Sequence, residues 1–339
     1  MLAVEKTAPG RGNVGLVEKD PPEPSRGEVL VEVVAAGVCG TDLHIVDDSY
    51  ASRPPVTMGH EVAGVVNKVG PGVDPAWTGC RVSCETFYST CGVCPWCRDG
   101  RPNLCPDRRS IGSGADGGFA PFMVVSSSQL HRLPDYLDEH GAALCEPLAC
   151  VCQSLCDPNI IAPGDDVLIL GPGTMGQLAA QVARACGGHA LVVGTQSDHL
   201  RLAKARDLGF DVALATDRDA MVALGGGFGP NVVIECSGAG AAMAAGLEVI
   251  RRAGRYVQIG LTGDYVSVPL ALVSLKELSI SGGFASTPRS WARAMTLLER
   301  QVIDLASLVS EVAPLGDWER VFADTAAARG LKFVLDPRR

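Results

Sequence analysis

Within Gly37-Val38-Cys39-Gly40-Thr41-Asp42-Leu43-His44 the chain places a thiol, a hydroxyl and an imidazole close together. Two later stretches, Gly59-His60-Glu61 and Cys145-Glu146-Pro147, add a second imidazole and two carboxylates. Alone, Cys39 reads as a small buried hydrophobe, and the His60-Glu61 pair as a solvated loop edge. Together they offer one Cys, one His and one or two carboxylates. That is the ligand set of a catalytic zinc, with three protein ligands and a position left for water or substrate. Either Glu61 or Glu146 can serve as the third ligand. Glu146 lies in the apolar run Ala142–Ala149. An uncompensated carboxylate there is expensive, and a nearby cation removes the cost.

A second cluster is more specific. Cys91-x2-Cys94-x2-Cys97-x7-Cys105 presents four thiols in one short loop, the pattern of a closed, tetrahedral, structural zinc. Iron–sulfur ligation also opens with C-x2-C-x2-C but continues C-x3-C-P, unlike this loop. Two zinc ions per chain are therefore expected. Cys80, Cys84, Cys145, Cys150, Cys152, Cys156, Cys186 and Cys236 read as core thiols.

The third motif is Gly171-Pro172-Gly173-Thr174-Met175-Gly176, after the apolar strand Asp166–Leu170 and before the alanine-rich helix Gln177–Cys186. In that setting the glycines let the backbone approach a pyrophosphate at a helix N-terminus, which implies NAD or NADP. The acid that reads the ribose hydroxyl is expected roughly 20 residues on. Here the next strand ends Gly194-Thr195-Gln196-Ser197, with Asp198 slightly late and Arg201 beyond. Uncharged Thr195 and Gln196 leave room for a 2′-phosphate that Arg201 can approach, so the choice between NAD and NADP stays open.

The elements that must hold these residues fall into two styles. Up to roughly residue 150 the chain is β-rich and irregular. Its valine-rich runs Val29–Val34, Val62–Val69, Arg81–Cys84 and Ala120–Val125 are broken by Pro and Gly, which suggests a barrel. From about 165, strands at 166–170, 189–193, 231–235 and 255–259 alternate with helices at 199–208 and 240–252, the signature of a doubly wound parallel sheet. Helices at 290–300 and 315–328 and a strand at 332–335 follow. The expected domains are 1–150, 151–285, and 286–339 returning to the first.

Composition narrows the function. The chain has 339 residues, 47% of them hydrophobic, and a net charge of −9. An acidic chain without a basic block is a poor binder of phosphodiester backbones, so no nucleic-acid partner is expected. The N-terminus carries no apolar signal core, and no apolar run reaches the roughly 18 residues of a membrane span. Thirteen cysteines, an odd number, fit metal ligands and buried thiols in a reducing cytoplasm better than a disulfide framework.

In their order, the Gly37–His44 stretch, Gly59-His60-Glu61, the four-cysteine loop, Glu146-Pro147-Leu148 and the Gly171–Gly176 fingerprint resemble zinc-dependent medium-chain dehydrogenases, in particular the branch of sorbitol, threonine and bacterial alcohol dehydrogenases. The resemblance implies an α/β protein: a GroES-like β-barrel catalytic domain with a Rossmann cofactor domain inserted. It makes Cys39 and His60 zinc ligands, with Glu61 and Glu146 exchanging for the remaining positions. Thr41 takes the place of the hydroxyl beside the alcohol oxygen, and His44 that of the imidazole that passes the proton to solvent. It implies a reversible, zinc-containing NAD(P)-dependent dehydrogenase of secondary alcohols or polyols that works as a homo-oligomer, dimer or tetramer. The alternative on the same fold is a non-catalytic NAD(P)-binding sensor or structural protein.

Overall fold

The structure, a computed structural model, describes every residue of the chain except Asp264. Two compact units emerge. The first comprises Met1–Glu146, Ser286–Met295 and Leu305–Arg339; the second comprises Pro147–Ala285 and Thr296–Asp304. The first junction thus falls at Glu146/Pro147 rather than at residue 150. The segment Thr296–Asp304 groups with the second unit because Gln181 Nε2 donates to the Asp304 carbonyl and the Asp304 N–H donates to Gln181 Oε1, at 3.1 and 2.7 Å.

In the first unit the strand Glu28–Gly37 pairs antiparallel with Glu61–Val69, Phe122–Ser126 and Lys332–Asp336. These belong to a seven-stranded sheet. Strand 28–37 is covered on both faces, with all but Glu28 and Glu32 buried, which is why valine and alanine run through it almost without alternation. Its core partners include Met58, Phe119, Ile45 and Leu335. Gly37 stands opposite Glu61 on one side and Val334 on the other. The end of this strand therefore collects residues from three strands at one level. The expected strand Ala120–Val125 instead runs Phe122–Ser126. The preceding Gly117 and Gly118 are drawn against Gly59 and Val62, where added Cβ atoms would stand 2.0 and 2.4 Å from their neighbours.

Directly after the central strand comes α1 (Gly40–Val46), with Cys39 at its N-cap. The Asp42 carboxylate accepts the backbone N–H of Cys39 at 2.8 Å, which closes the first turn. The tail expected as one helix over 315–328 opens as a 3₁₀ turn, Leu315–Asp317, and becomes α-helical over Trp318–Ala326.

The second unit is built on a six-stranded sheet, parallel throughout, in the spatial order 211–214, 189–194, 166–170, 232–235, 255–258, 279–282. Strand 166–170 is central and apolar because helices cover both faces. Strand order reverses beside it, between 189–194 and 232–235, the place where doubly wound sheets bind ligands. Helix α2 (Cys145–Leu155) carries Glu146 in its first turn. Helix α3 (Thr174–Ala185) starts three residues earlier than expected, since Gly173 is its N-cap.

Candidate functional site

Cys39, His60 and Glu61 come together, with one ligand atom from each within 4.8 Å of the others. Cys39 arrives from the N-cap of α1, and His60 and Glu61 from the start of strand 61–69. The approach of Glu61 explains Gly37: a Cβ there would lie 2.1 Å from Glu61 Oε2.

Two charged residues that sequence reasoning missed complete the surroundings. Asp42 is fully buried, and its Oδ1, which has no hydrogen-bond partner, lies 3.6 Å from His60 Nδ1. A carboxylate behind a histidine fixes the ring and leaves the other nitrogen for a metal. Lys332 is buried as well; its Nζ donates to Glu61 Oε1 and Oε2 at 2.7 and 2.6 Å and to the Val38 carbonyl at 3.1 Å. Burial opposes charge on Lys332, but Glu61 and Cys39 outweigh it and raise its pKa. Burial likewise opposes an imidazolium at His60, yet Asp42 and Cys39 hold its pKa well above the usual value. Lys332 balances one of the two buried carboxylates, and without a metal only a proton on His60 balances the other; a cation held by neutral His60 and the Cys39 thiolate would take that proton's place. The donor set thus fits a divalent zinc, which satisfies a buried anion cluster of this kind.

Glu146 is buried in the first turn of α2 but stands outside the Cys39–His60–Glu61 group. It does lie near Cys84, whose thiol is pushed up to about 12 by burial and by the charges of Glu146 and Glu85. Thr41 is half-buried, with its hydroxyl 3.8 Å from Cys39 Sγ. His44 is exposed in the last turn of α1, its Nδ1 3.3 Å from Ser49 Oγ. It does not cap the helix start; that role falls to Cys39 and Asp42.

Cys91, Cys94, Cys97 and Cys105 gather with their sulfurs within 4.8 Å of one another. Cys91 and Cys105 sulfurs are 3.6 Å apart; a zinc–sulfur distance of about 2.3 Å in a tetrahedron implies an edge of about 3.8 Å. Backbone N–H groups of Cys91, Cys94 and Cys97 point at the sulfurs of Cys105, Cys91 and Cys94. Those of Val93 and Cys94 hold the Cys91 thiol down at about 7, which favours the thiolate that binds metal. Among the remaining thiols, Cys84, Cys145 and Cys152 are buried. Contrary to expectation, Cys80, Cys150, Cys156, Cys186 and Cys236 are only partly covered.

In the second unit the glycine turn is tight. Gly171 adopts φ +101°, and a Cβ on Gly176 would sit 1.9 Å from the Gly171 carbonyl. No side chain caps α3 at Gly173, and a helix N-terminus of this kind is where backbone N–H groups receive an anion. Gln177 Nε2 braces the turn by donating to the carbonyls of Pro172 and Arg201. At the end of strand 189–194, Asp198 folds back: Oδ2 accepts from the Thr195 N–H at 2.9 Å and from its hydroxyl at 2.7 Å. Arg201 lies 3.5 Å from Asp198 Oδ1. The acid that follows the strand is therefore turned toward both Thr195 and Arg201.

Residues 25–135 match the family description "Alcohol dehydrogenase GroES-like domain", and residues 174–300 match "Zinc-binding dehydrogenase". A sorbitol dehydrogenase from Halalkalibacterium halodurans is 35% identical over 99% of each chain. The chain belongs to the zinc-binding alcohol dehydrogenase family. This dehydrogenase is also 31% identical to a D-arabitol-phosphate dehydrogenase from Enterococcus avium, over 99% of its own length and 97% of the relative's. A zinc-binding dehydrogenase from Sinorhizobium meliloti 1021, solved with NADP bound, shares its fold with a TM-score of 0.90 at 32% identity over 99% of each chain. The α/β architecture, a GroES-like domain with a Rossmann-type parallel sheet, is that of the family. Homologues named as dehydrogenases favour a catalyst over a sensor on the same fold.

Asp42 had a signal in sequence, since it stands three residues after Cys39 as a capping acid does. Lys332 had a fainter one, a lone cation opening the apolar strand Lys332-Phe-Val-Leu.

Proposed function

We propose that this dehydrogenase transfers hydride reversibly between a secondary alcohol or polyol and NAD or NADP. The convergence of Cys39, His60 and Glu61 on one point carries the reading. The names of the sorbitol and arabitol-phosphate relatives support the substrate class. When bound, zinc supplies a Lewis acid for the substrate oxygen, and the nicotinamide accepts the hydride.

The chain's own residues have separable tasks in this reading. Cys39 and His60 hold the catalytic zinc, with Glu61 or Glu146 as third ligand. Asp42 orients His60, and Lys332 orients Glu61. Thr41 and His44 are three apart on α1, hence neighbours on one face. The Thr41 hydroxyl, which both donates and accepts, takes the substrate proton, and the exposed His44 hands it to water. Gly171, Gly173, Thr174, Met175 and Gly176 receive the pyrophosphate. Uncharged Thr195 and Gln196 tolerate a 2′-phosphate, and Arg201 can turn from Asp198 toward it. Cys91, Cys94, Cys97 and Cys105 hold a structural zinc.

We further propose that the protein is cytoplasmic, where its many thiols stay reduced. A homo-oligomer, dimer or tetramer, is supported by the edge strand Ser279–Gly282, which is exposed at all four residues. Leu270, Leu275 and Ile280, 67%, 66% and 46% exposed, add apolar surface around it, and uncovered sheet edges of this kind invite pairing. Among the described residues, no helix is long and apolar enough to cross a membrane. The decisive experiment is a panel of secondary alcohols, polyols and polyol phosphates assayed with each cofactor by nicotinamide absorbance. No turnover by the zinc-loaded protein on any of them would overturn the reading.

A further inference from the structure

Glu235 closes strand 232–235 and is fully buried, although it belongs neither to a metal cluster nor to the glycine turn. Among the described residues, every donor it meets is neutral. Oε1 accepts from the Ser237 N–H at 2.8 Å and from the Ser237 hydroxyl, and the Gly238 N–H donates to both oxygens, at 3.2 and 3.0 Å. Gln258 Nε2 donates to Oε2 at 2.7 Å and to the Gly260 carbonyl at 2.8 Å, while Gln258 Oε1 accepts from the Tyr256 hydroxyl at 3.0 Å. A buried anion is expensive unless hydrogen bonds hold it, and bonds to a charged acceptor are the strong ones. The carboxylate thus ties the turn that follows it, 236–238, to the end of the adjacent strand 255–258.

The turns after three adjacent strands interlock around this carboxylate. A Cβ on Gly171 would stand 2.8 Å from Ser237 Cβ, and one on Gly238 would stand 2.2 Å from the Leu261 carbonyl oxygen. A Cβ on Gly260 would stand 2.3 Å from the Gly238 nitrogen and 2.7 Å from Glu235 Oε2. We propose that Glu235 is a positioning residue of the cofactor site: it fixes the turn 236–238 against Gly171 and so presets the surface that receives the nicotinamide half of NAD or NADP. This role rests on the cofactor reading given above. There the adenine ribose lies at Thr195, beyond strand 189–194, and the pyrophosphate at Gly171–Gly176, beyond the central strand 166–170. A dinucleotide laid across the crevice then extends over the ends of strands 232–235 and 255–258, on the other side of the central strand. Ser237 is exposed at that end, and Glu235, buried beneath it, acts through it.

Three substitutions disturb this arrangement in different ways. Glu235→Gln keeps the size of the side chain but turns an NH2 group toward N–H donors, so at least one of these bonds is lost. Gly260→Ala leaves the carboxylate in place chemically and crowds it instead. Ser237→Ala, at an exposed position, removes only the hydroxyl that donates to Oε1.

The test is to titrate the zinc-loaded wild type and the three variants with NADH and NADPH by fluorescence, and with 5′-AMP by calorimetry. The fragment 5′-AMP carries the adenine ribose but no nicotinamide. Glu235→Gln and Gly260→Ala should weaken the dinucleotides by about ten-fold or more, the worth of one lost hydrogen bond to a charged group. Binding of 5′-AMP should change far less. In turnover assays KM for the cofactor should rise by more than kcat falls. Ser237→Ala should show the same split at smaller size, and it decides the matter if the other two do not fold. Unchanged dinucleotide binding in the folded variants would overturn the proposal. So would an equal loss for 5′-AMP, which would make Glu235 a residue of the fold alone. A wild-type protein that binds neither dinucleotide would instead overturn the cofactor reading itself.

Discussion

Lys332 Nζ meets both oxygens of Glu61, at 2.7 and 2.6 Å, with the two side chains 5% and 1% exposed. This buried pair fixes the carboxylate beside Cys39 and His60. Removing one member of such a pair strands the other, at a cost of about 3–5 kcal/mol. Lys332→Met is therefore expected to destabilise the protein by about that amount in urea unfolding of the first unit. Lys332→Met combined with Glu61→Gln should recover most of the loss. Equal destabilisation in single and double variants would mean that the lysine acts through packing alone.

The metals should separate by role. Elemental analysis is expected to return two zinc ions per chain. Cys39→Ser should keep its fold and the structural zinc while activity falls by more than about 100-fold. Cys97→Ser should lose the other zinc and melt at a clearly lower temperature, because that site closes a loop. One zinc per chain, or a Cys39→Ser protein with normal turnover, contradicts the assignment.

Cofactor choice is expected to hang on Thr195. With Asp198 folded onto the Thr195 backbone, no carboxylate follows the strand at the residue where NAD enzymes place theirs. Thr195→Asp should shift the ratio of kcat/KM for NAD over NADP by about ten-fold or more, which is about 1.4 kcal/mol. A wild-type protein that already rejects NADP by several orders of magnitude would show that another acid reads the ribose.

The proton relay predicts unequal losses. Thr41→Val should lower kcat by about 10²- to 10⁴-fold with zinc still bound. His44→Gln should lose less, since water can substitute at an exposed position, and added imidazole buffer should restore part of the rate. An unchanged kcat in Thr41→Val would remove the relay; an unchanged pH profile in His44→Gln would leave that histidine structural.

Acid stability should depend on Asp336. Burial opposes its charge, but Arg338 and His140 prevail and lower its pKa from 3.8 to about 2. A depressed carboxylate stabilises the fold above its unfolded pKa, and that contribution fades as pH falls through the folded value. Asp336→Asn should therefore cost about 2 kcal/mol near neutrality. The difference from wild type should shrink between pH 4 and pH 2, as read by chemical denaturation across that range.

The four-cysteine loop and the glycine turn were legible because their chemistry demands particular residue types at short spacing: four thiols in one loop, and glycines between a strand and a helix. The setting of Glu61 was not legible in sequence, because its partner Lys332 lies 271 positions away. The same limit applied to the thiols. Cys156 and Cys186 look like core residues by type, and only the structure shows them to be partly exposed. Helix and strand limits slipped by a few residues where glycines set the boundary, as at Gly173 and Gly117.

Gly37 carries no ligand atom and no charge, yet the Glu61 carboxylate occupies the space its side chain would need. Position 37 is thus a steric lock on the metal site. A single added methyl, in Gly37→Ala, would push the Glu61 carboxylate from its place beside Lys332 without substituting any residue assigned to zinc or substrate. Natural or selected variation at this one backbone position would tune metal retention from behind, and a scan confined to ligands and pocket walls would pass over it.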